Sequence, residues 1–207
     1  MPPSARFWDR IANRYAKRPV ADEATYQKKL QMTREYLEPH MRVFEFGCGT
    51  GSTALTHSPH VAYVRATDIS AKMIDIAKSK AREAGVKNVE FEQSDIESIA
   101  ASSAKYDVVL GLSILHLLDD RDAVVSTIYD MLEPGGIFVS STACLGDHMK
   151  IFKFIAPLGR FFGILPILSV FTTQDLVGCI EDSGFEIETK WSPGKNKGVF
   201  IIARKPL

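Results

Sequence analysis

A strand that runs straight into three closely spaced glycines is the feature that leaves this chain the least freedom. Val43-Phe44-Glu45-Phe46-Gly47-Cys48-Gly49-Thr50-Gly51-Ser52 reads as a buried strand, a glycine-rich turn and the start of a helix. Glycine tolerates positive φ and leaves no side chain in the way, so such a turn lets backbone approach a ligand at the strand's carboxyl end. The spacing is G-x-G-x-G, at Gly47, Gly49 and Gly51. A dinucleotide fingerprint would place its third glycine at position 52, which is Ser52. The bland alternative is a tight strand–helix turn that binds nothing.

The rest of the chain alternates strand-like and helix-like patterns, as a parallel sheet with helical crossovers does. Strands are expected at Arg42–Phe46, Ala62–Thr67, Val89–Glu92, Tyr106–Leu112 and Ile137–Ser141. Ser70 is a plausible N-cap for a helix that stops near Gly85, with Met73, Ile76, Ala77 and Ala84 on one face. Lys72, Lys78, Lys80 and Arg82 then reach solvent. A helix around Asp122–Glu133 should end at Pro134-Gly135-Gly136, and another near Thr173–Ser183 at Gly184. Phe185–Trp191 and Val199–Ala203 are joined too tightly for a parallel crossover, so they form an antiparallel hairpin. Residues 1–40 read as an amphipathic helical arm, with Phe7, Trp8, Ile11 and Tyr15 on one side. At 207 residues and 23.0 kDa, one domain spanning 1–207 is expected.

Two carboxylates extend the signal from the glycines. Asp68 ends the second strand about 20 residues after the first glycine, where it can accept both ribose hydroxyls of an adenosine cofactor. Asp95, just past the third strand, can take an adenine amino group while Ile96 covers the ring. Read alone, Asp95 is equally a helix cap. Three sites at the carboxyl ends of three consecutive strands are harder to dismiss than any one.

Together, EFGCGTG, Asp68, Ser94-Asp95-Ile96, YDVVLGLSILHLL at 106–118 and LEPGG at 132–136 resemble a class I S-adenosylmethionine-dependent methyltransferase. Within that superfamily the chain is most similar to small bacterial enzymes of the ubiquinone/menaquinone-biosynthesis type (methyltransferase type 11), whose arm FWDRIANRYA resembles. The resemblance implies a Rossmann-like, doubly wound α/β fold with seven strands in the order 3-2-1-4-5-7-6 and strand 7 antiparallel. It places Gly47, Gly49 and Gly51 at the methionine half of S-adenosyl-L-methionine, with Leu112 beneath it, and counts Glu45 and Ile69 among the cofactor-binding residues. Asp68 goes to the ribose, Met73 near the adenosine, and Asp95 and Ile96 to the adenine.

The implied reaction is direct displacement, which needs an acceptor aligned behind the methyl group and water excluded. His116 is the candidate general base, with a packing or capping histidine as its plainer reading. Tyr15, Tyr26 and His148 are candidates to border the acceptor pocket. The segment 147–171 is an apolar insertion after the fifth strand, where this fold commonly builds its acceptor cap. Phe154 and Phe162 sit in it beside Lys150, Lys153 and Arg160. It reads as a cap on its own domain, a lid over a greasy acceptor, a transient membrane contact or a dimer surface. A small, apolar or lipid-like acceptor is therefore expected.

Charge and composition narrow the partners. Lys+Arg and Asp+Glu are both 25, so no global basic excess addresses nucleic acid. The (N/D/S)-P-P-(Y/F) loop of DNA-adenine and protein-glutamine methyltransferases is replaced by Leu112-Ser113-Ile114-Leu115. Cys48, Cys144 and Cys179 are far apart, so neither a disulfide framework nor a metal site is expected. The N-terminus lacks an apolar secretory core and Phe161–Phe171 is too short to span a bilayer, which suggests a cytoplasmic protein. Two rivals remain open: an NAD(P)-dependent oxidoreductase, disfavoured because no tyrosine is followed by lysine four residues on, and a non-catalytic S-adenosylmethionine-binding or peripheral-membrane module. The sequence assigns no oligomeric state.

Overall fold

Seven strands form one sheet in the order β3-β2-β1-β4-β5-β7-β6. The structure is a computed structural model that describes residues 3–101, 103–147, 168–194 and 197–207. Strands β1 (Arg42–Phe46), β2 (Tyr63–Asp68), β3 (Val89–Gln93), β4 (Tyr106–Leu112) and β5 (Leu132–Thr142) are mutually parallel. β7 (Val199–Arg204) runs antiparallel between β5 and β6 (Glu186–Trp191), so the expected hairpin and strand order both hold.

Alternation along the central strands sends side chains into two cores. Phe44 and Phe46 face one, with Val109 and Phe138, under α5 (Ile96–Ala100), α6 (Arg121–Met131) and α7 (Thr173–Asp182). Val43 faces the other, with Val64, Leu110 and Val139, under α3 (Ser52–His57) and α4 (Ala71–Glu83). Pleat parity puts Glu45 on the Val43 side. The register aligns Glu45 with Leu110, Leu110 with Val139, and Leu112 with Ser141 one step nearer the carboxyl ends.

Some boundaries differ from the sequence reading. Pro134-Gly135-Gly136 does not separate helix from strand. α6 stops at Met131, and β5 begins at Leu132 with the glycines inside it, at a register shift against Tyr106–Val108. Gly135, at φ +78°, donates its N–H to Lys205 O, so pairing with the chain's end extends this strand. In α4 the buried residues are Met73, Ile74, Ala77 and Ala81, rather than Ile76 and Ala84. Lys80 is not free in solvent: its ammonium donates to Thr50 Oγ1 and Ser52 Oγ at 2.9 and 3.1 Å.

The arm consists of α1 (Pro3–Ala16) and α2 (Glu23–Arg34), the second capped by the Asp22 side chain on Thr25 N. Ala5 and Ala12 are its fully buried positions in α1, while Tyr15 is exposed. α1 packs on α4. Most of the apolar insertion, 148–167, lies outside the described residues, but its flanks are fastened together. Gly146 N donates to Phe171 O at 2.8 Å, and Asp147 accepts from Thr173 N and Oγ1. No helix among the described residues is long and apolar enough to cross a membrane.

Candidate active site

The carboxyl ends of β1, β2 and β4 open onto a cleft organised by one carboxylate. Asp68 Oδ2 accepts from Gly49 N and Oδ1 from Ser70 N, both at 2.9 Å. The side chain that ends β2 thus ties the glycine turn to the start of α4. Burial pushes its pKa up, and the two backbone bonds oppose that. Each oxygen keeps a lone pair for a further donor.

The three glycines all have positive φ, at +62°, +54° and +75°, but their reasons for being glycine differ. A Cβ on Gly47 would meet Ile114 at 2.7 Å, and one on Gly51 would meet the Phe91 ring at 2.6 Å and Ala77 at 2.8 Å. A Cβ on Gly49 would meet only Tyr15, at 4.0 Å. Gly47 and Gly49 line the cleft; Gly51 is spent on packing below it.

Two cavities share this turn. The smaller, about 150 Å³, is lined by Asp68, Ile69, Met73, Asp95, Ile96 and Leu112, with Ser4, Trp8 and Tyr15 of the arm across from them. The structure bears out the helix-cap reading of Asp95 and places the same side chain at the cavity wall. Asp95 caps α5 by accepting from Ser98 N at 2.9 Å, a bond that lowers its pKa. The larger, about 620 Å³, is lined by Glu45, Tyr26, Lys29, Thr53 and Ser141, together with arm residues up to Ala21. Tyr15, Gly47, Gly49, Leu112 and Ser113 belong to both.

Glu45 is the most unusual group here. It is 3% exposed, its Oε2 has no hydrogen-bond partner among the described residues, and desolvation pushes its pKa up to about 8. The Tyr26 hydroxyl lies 3.3 Å from Thr53 Oγ1, and burial raises its pKa. Lys29 Nζ donates to Ser141 Oγ at 2.7 Å.

The structure thus brings Glu45, Gly47, Gly49, Asp68, Ile69, Met73, Asp95, Ile96, Leu112, Tyr15 and Tyr26 onto one connected cleft. His116 lines neither cavity; its Nδ1 is buried without a partner among the described residues, and burial lowers its pKa. His148, Phe154 and Phe162 lie outside the described residues.

Sequence reasoning missed Asp9, Lys29, Ser113 and Ser141. Asp9 accepts from Ser70 Oγ at 2.6 Å and Lys72 N at 3.1 Å, which fastens the arm to the rim of the cleft. Ser113 is a non-glycine residue at φ +60°, held by its N–H on Ser141 O at 2.6 Å. Such backbone strain concentrates at functional sites. No local pattern marks these residues, because each acts on a partner far along the chain.

Comparison with known proteins agrees with this geometry. The family described as a methyltransferase domain matches residues 43–136. An uncharacterized methyltransferase, YcgJ of Bacillus subtilis strain 168, is 33% identical over 119 residues, 58% of this chain and 47% of that protein. A ubiquinone biosynthesis O-methyltransferase of Chelativorans sp. is 28% identical over 102 residues, 49% of this chain and 40% of that protein. The chain therefore spans less than half the length of these curated relatives. The crystal structure of the B. subtilis YcgJ protein superposes with a TM-score of 0.71, covering 87% of this chain and 99% of that one at 17% identity, a likeness of fold. The glycine turn shaped for close approach and the carboxylate at the β2 terminus thus both fall within residues 43–136, the stretch that matches the methyltransferase-domain family.

Proposed function

We propose that the protein transfers a methyl group from S-adenosylmethionine to a small-molecule acceptor with an apolar body. The observation that carries this reading is the division of one cleft into two cavities joined at Gly47, Gly49 and Leu112. One cavity ends in Asp68 and Asp95, suited to an adenosine; the other leaves room for an acceptor beside the turn.

The residues fit the cofactor. Gly49 presents backbone with open space before it, Asp68 keeps acceptor capacity after tying the turn, and the orphaned Glu45 Oε2 suits an amino group. When bound, S-adenosylmethionine supplies an electrophilic methyl group on a sulfonium sulfur. The protein's part is positional: Asp68 and Asp95 fix the adenosine end, and the arm residues Trp8 and Tyr15 exclude water. Tyr26 keeps its proton at neutral pH, because burial raises its pKa, so it acts as a hydrogen-bonding wall rather than a base. The apolar acceptor is supported by Tyr15 and Val20, 49% and 48% exposed, which are large hydrophobic side chains lining the larger cavity.

The test is incubation with methyl-labelled S-adenosylmethionine and a small-molecule cell extract fractionated by polarity. Label is expected in an organic-extractable product, and Asp68→Ala is expected to lower its formation at least about tenfold, the loss of charge-assisted hydrogen bonds to the cofactor. Label confined to protein or nucleic acid, or no transfer at all, would overturn the reading.

A further inference from the structure

The larger cavity holds more positive charge than the cofactor needs. Arg18, Lys29 and Lys80 all line it, and none is ion-paired among the described residues. The carboxyl in the same wall, Glu45, forms no ion pair with these cations among the described residues, and desolvation raises its pKa to about 8 in the free protein. The methionine end of the cofactor brings one carboxylate, which one cation balances, and one ammonium, which the orphaned Glu45 Oε2 suits. At least one further cation is left facing the acceptor's share of the cavity.

Position singles out Lys29. Asp68 lies on β2, on one side of β1, and Ser141 lies on β5, on the other side and beyond β4. Neighbouring strands are about 4.8 Å apart, so Ser141 stands roughly 10 Å from the glycine turn, away from the adenosine. The Lys29 ammonium reaches this point from α2 and rests on the Ser141 hydroxyl at 2.7 Å. A hydroxyl accepting from Lys29 still has its own hydrogen to donate into the cavity. Asp22, whose charge acts on Lys29 from the start of α2, is itself paired with Lys197 at 2.6 Å and accepts from Thr25 N. Lys80 sits elsewhere, on the hydroxyls of Thr50 and Ser52.

We propose that Lys29, backed by Ser141, receives an anionic group of the methyl acceptor, a carboxylate or a phosphate. The acceptor is then an amphipathic anion, with its apolar body against Tyr15 and Val20. Burial pulls the Lys29 pKa down in the free protein, and a bound anion offsets that desolvation. This inference rests on the methyltransferase reading and names its substrate class.

The experiment uses the full chain saturated with S-adenosylhomocysteine and titrated, by NMR, with benzoate, phenyl phosphate and the neutral control benzamide. At least one anion is expected to bind about tenfold more tightly than benzamide, and the preferred anion distinguishes carboxylate from phosphate recognition. Lys29→Met should abolish that preference, Lys29→Arg should retain most of it, and Ser141→Ala should weaken it severalfold. S-adenosylhomocysteine affinity should stay within twofold in all three variants. Equal or absent binding of the anions and benzamide overturns the proposal, as does an undiminished preference in Lys29→Met. A parallel tenfold loss of S-adenosylhomocysteine affinity in Lys29→Met assigns the lysine to the cofactor instead and overturns it too. Failure of the wild-type protein to bind S-adenosylhomocysteine is a separate outcome that removes the methyltransferase reading along with the proposal.

Discussion

Gly49 and Gly51 share a backbone sign and are glycine for opposite reasons. At Gly51 a side chain would press into Phe91 and Ala77, both buried, where added volume costs roughly 1–3 kcal/mol. At Gly49 a methyl group meets nothing closer than 4.0 Å, so the protein bears only the cost of left-handed backbone, about 1–2 kcal/mol. The methyl group would instead stand where a ligand approaches. Gly51→Ala is therefore expected to lower Tm more, and Gly49→Ala to weaken S-adenosylhomocysteine binding more, by at least about tenfold. Thermal denaturation and calorimetry of both variants check the inversion; normal affinity in a folded Gly49→Ala would make that turn purely structural. The G-x-G-x-G spacing was plain in the sequence, but which glycine serves the ligand was not. Phe91 and Ala77 belong to β3 and α4, which only folding brings beneath the turn.

At the scale of elements, the arm is legible as a helix and misleading as a surface. Its aromatic stripe suggested how it packs, yet its fully buried positions are Ala5 and Ala12, where small side chains let helices approach closely. Trp8 and Tyr15 are left to line the cleft. The arm is held by Asp9, which accepts from Ser70 Oγ and from Lys72 N in the first turn of α4, while Ser70 itself caps that helix on Met73 N. Asp9→Ala is expected to cost about 0.5–2 kcal/mol, the range of a lost cap, and to loosen the arm. Faster hydrogen exchange along α1 and a severalfold weaker S-adenosylhomocysteine affinity should appear together. Loss of stability with an unchanged affinity would show that the arm does not close the cofactor cavity. In the same way α4 presents Ile74 and Ala81 rather than Ile76 and Ala84 to the core. Period alone cannot choose between adjoining stripes when the sheet covers one face and α1 packs on the same helix.

For the whole molecule, two buried ionisable groups bound the pH range of stability from opposite sides. His57 is 1% exposed, neither ring nitrogen has a hydrogen-bond partner among the described residues, and burial lowers its pKa to about 4. The unfolded chain binds its proton near pH 6.5, so stability falls as pH drops from about 6.5 to 4, by roughly 3 kcal/mol in all. Glu45 acts in the other direction. Its folded pKa of about 8 exceeds the unfolded value, so its contribution is complete below about pH 4.5 and is lost as pH rises through 8. The two slopes offset each other between about pH 4.5 and 6.5, where the cofactor-free protein should be most stable. Thermal denaturation from pH 4 to 9 is expected to show stability falling steadily from about pH 4.5 to 8 in His57→Leu, and rising from pH 4 to about 6.5 and then level in Glu45→Gln. Parallel profiles for wild type and variants would show that neither group titrates with unfolding.

Local order and alternating pattern were enough to determine the strands, the glycine turn, Asp68 at the end of β2 and the closing hairpin. Each depends on residues close in sequence: a β-period run, a run of glycines, a carboxylate at a strand's last position. The resemblance carried by those motifs supplied the strand order, which the register of β5 against β7 bears out. Only tertiary structure decided what surrounds them. Lys29 reaches Ser141 across 112 residues, Asp9 reaches Ser70 across 61, and Lys80 leaves the solvent face assigned to it to hold Thr50 and Ser52. A polar side chain gives the same sequence signal whether it faces water or a cavity. Its role here was fixed by which strand ends and helices packed beside it, where burial removes water and leaves the few remaining partners to set its charge.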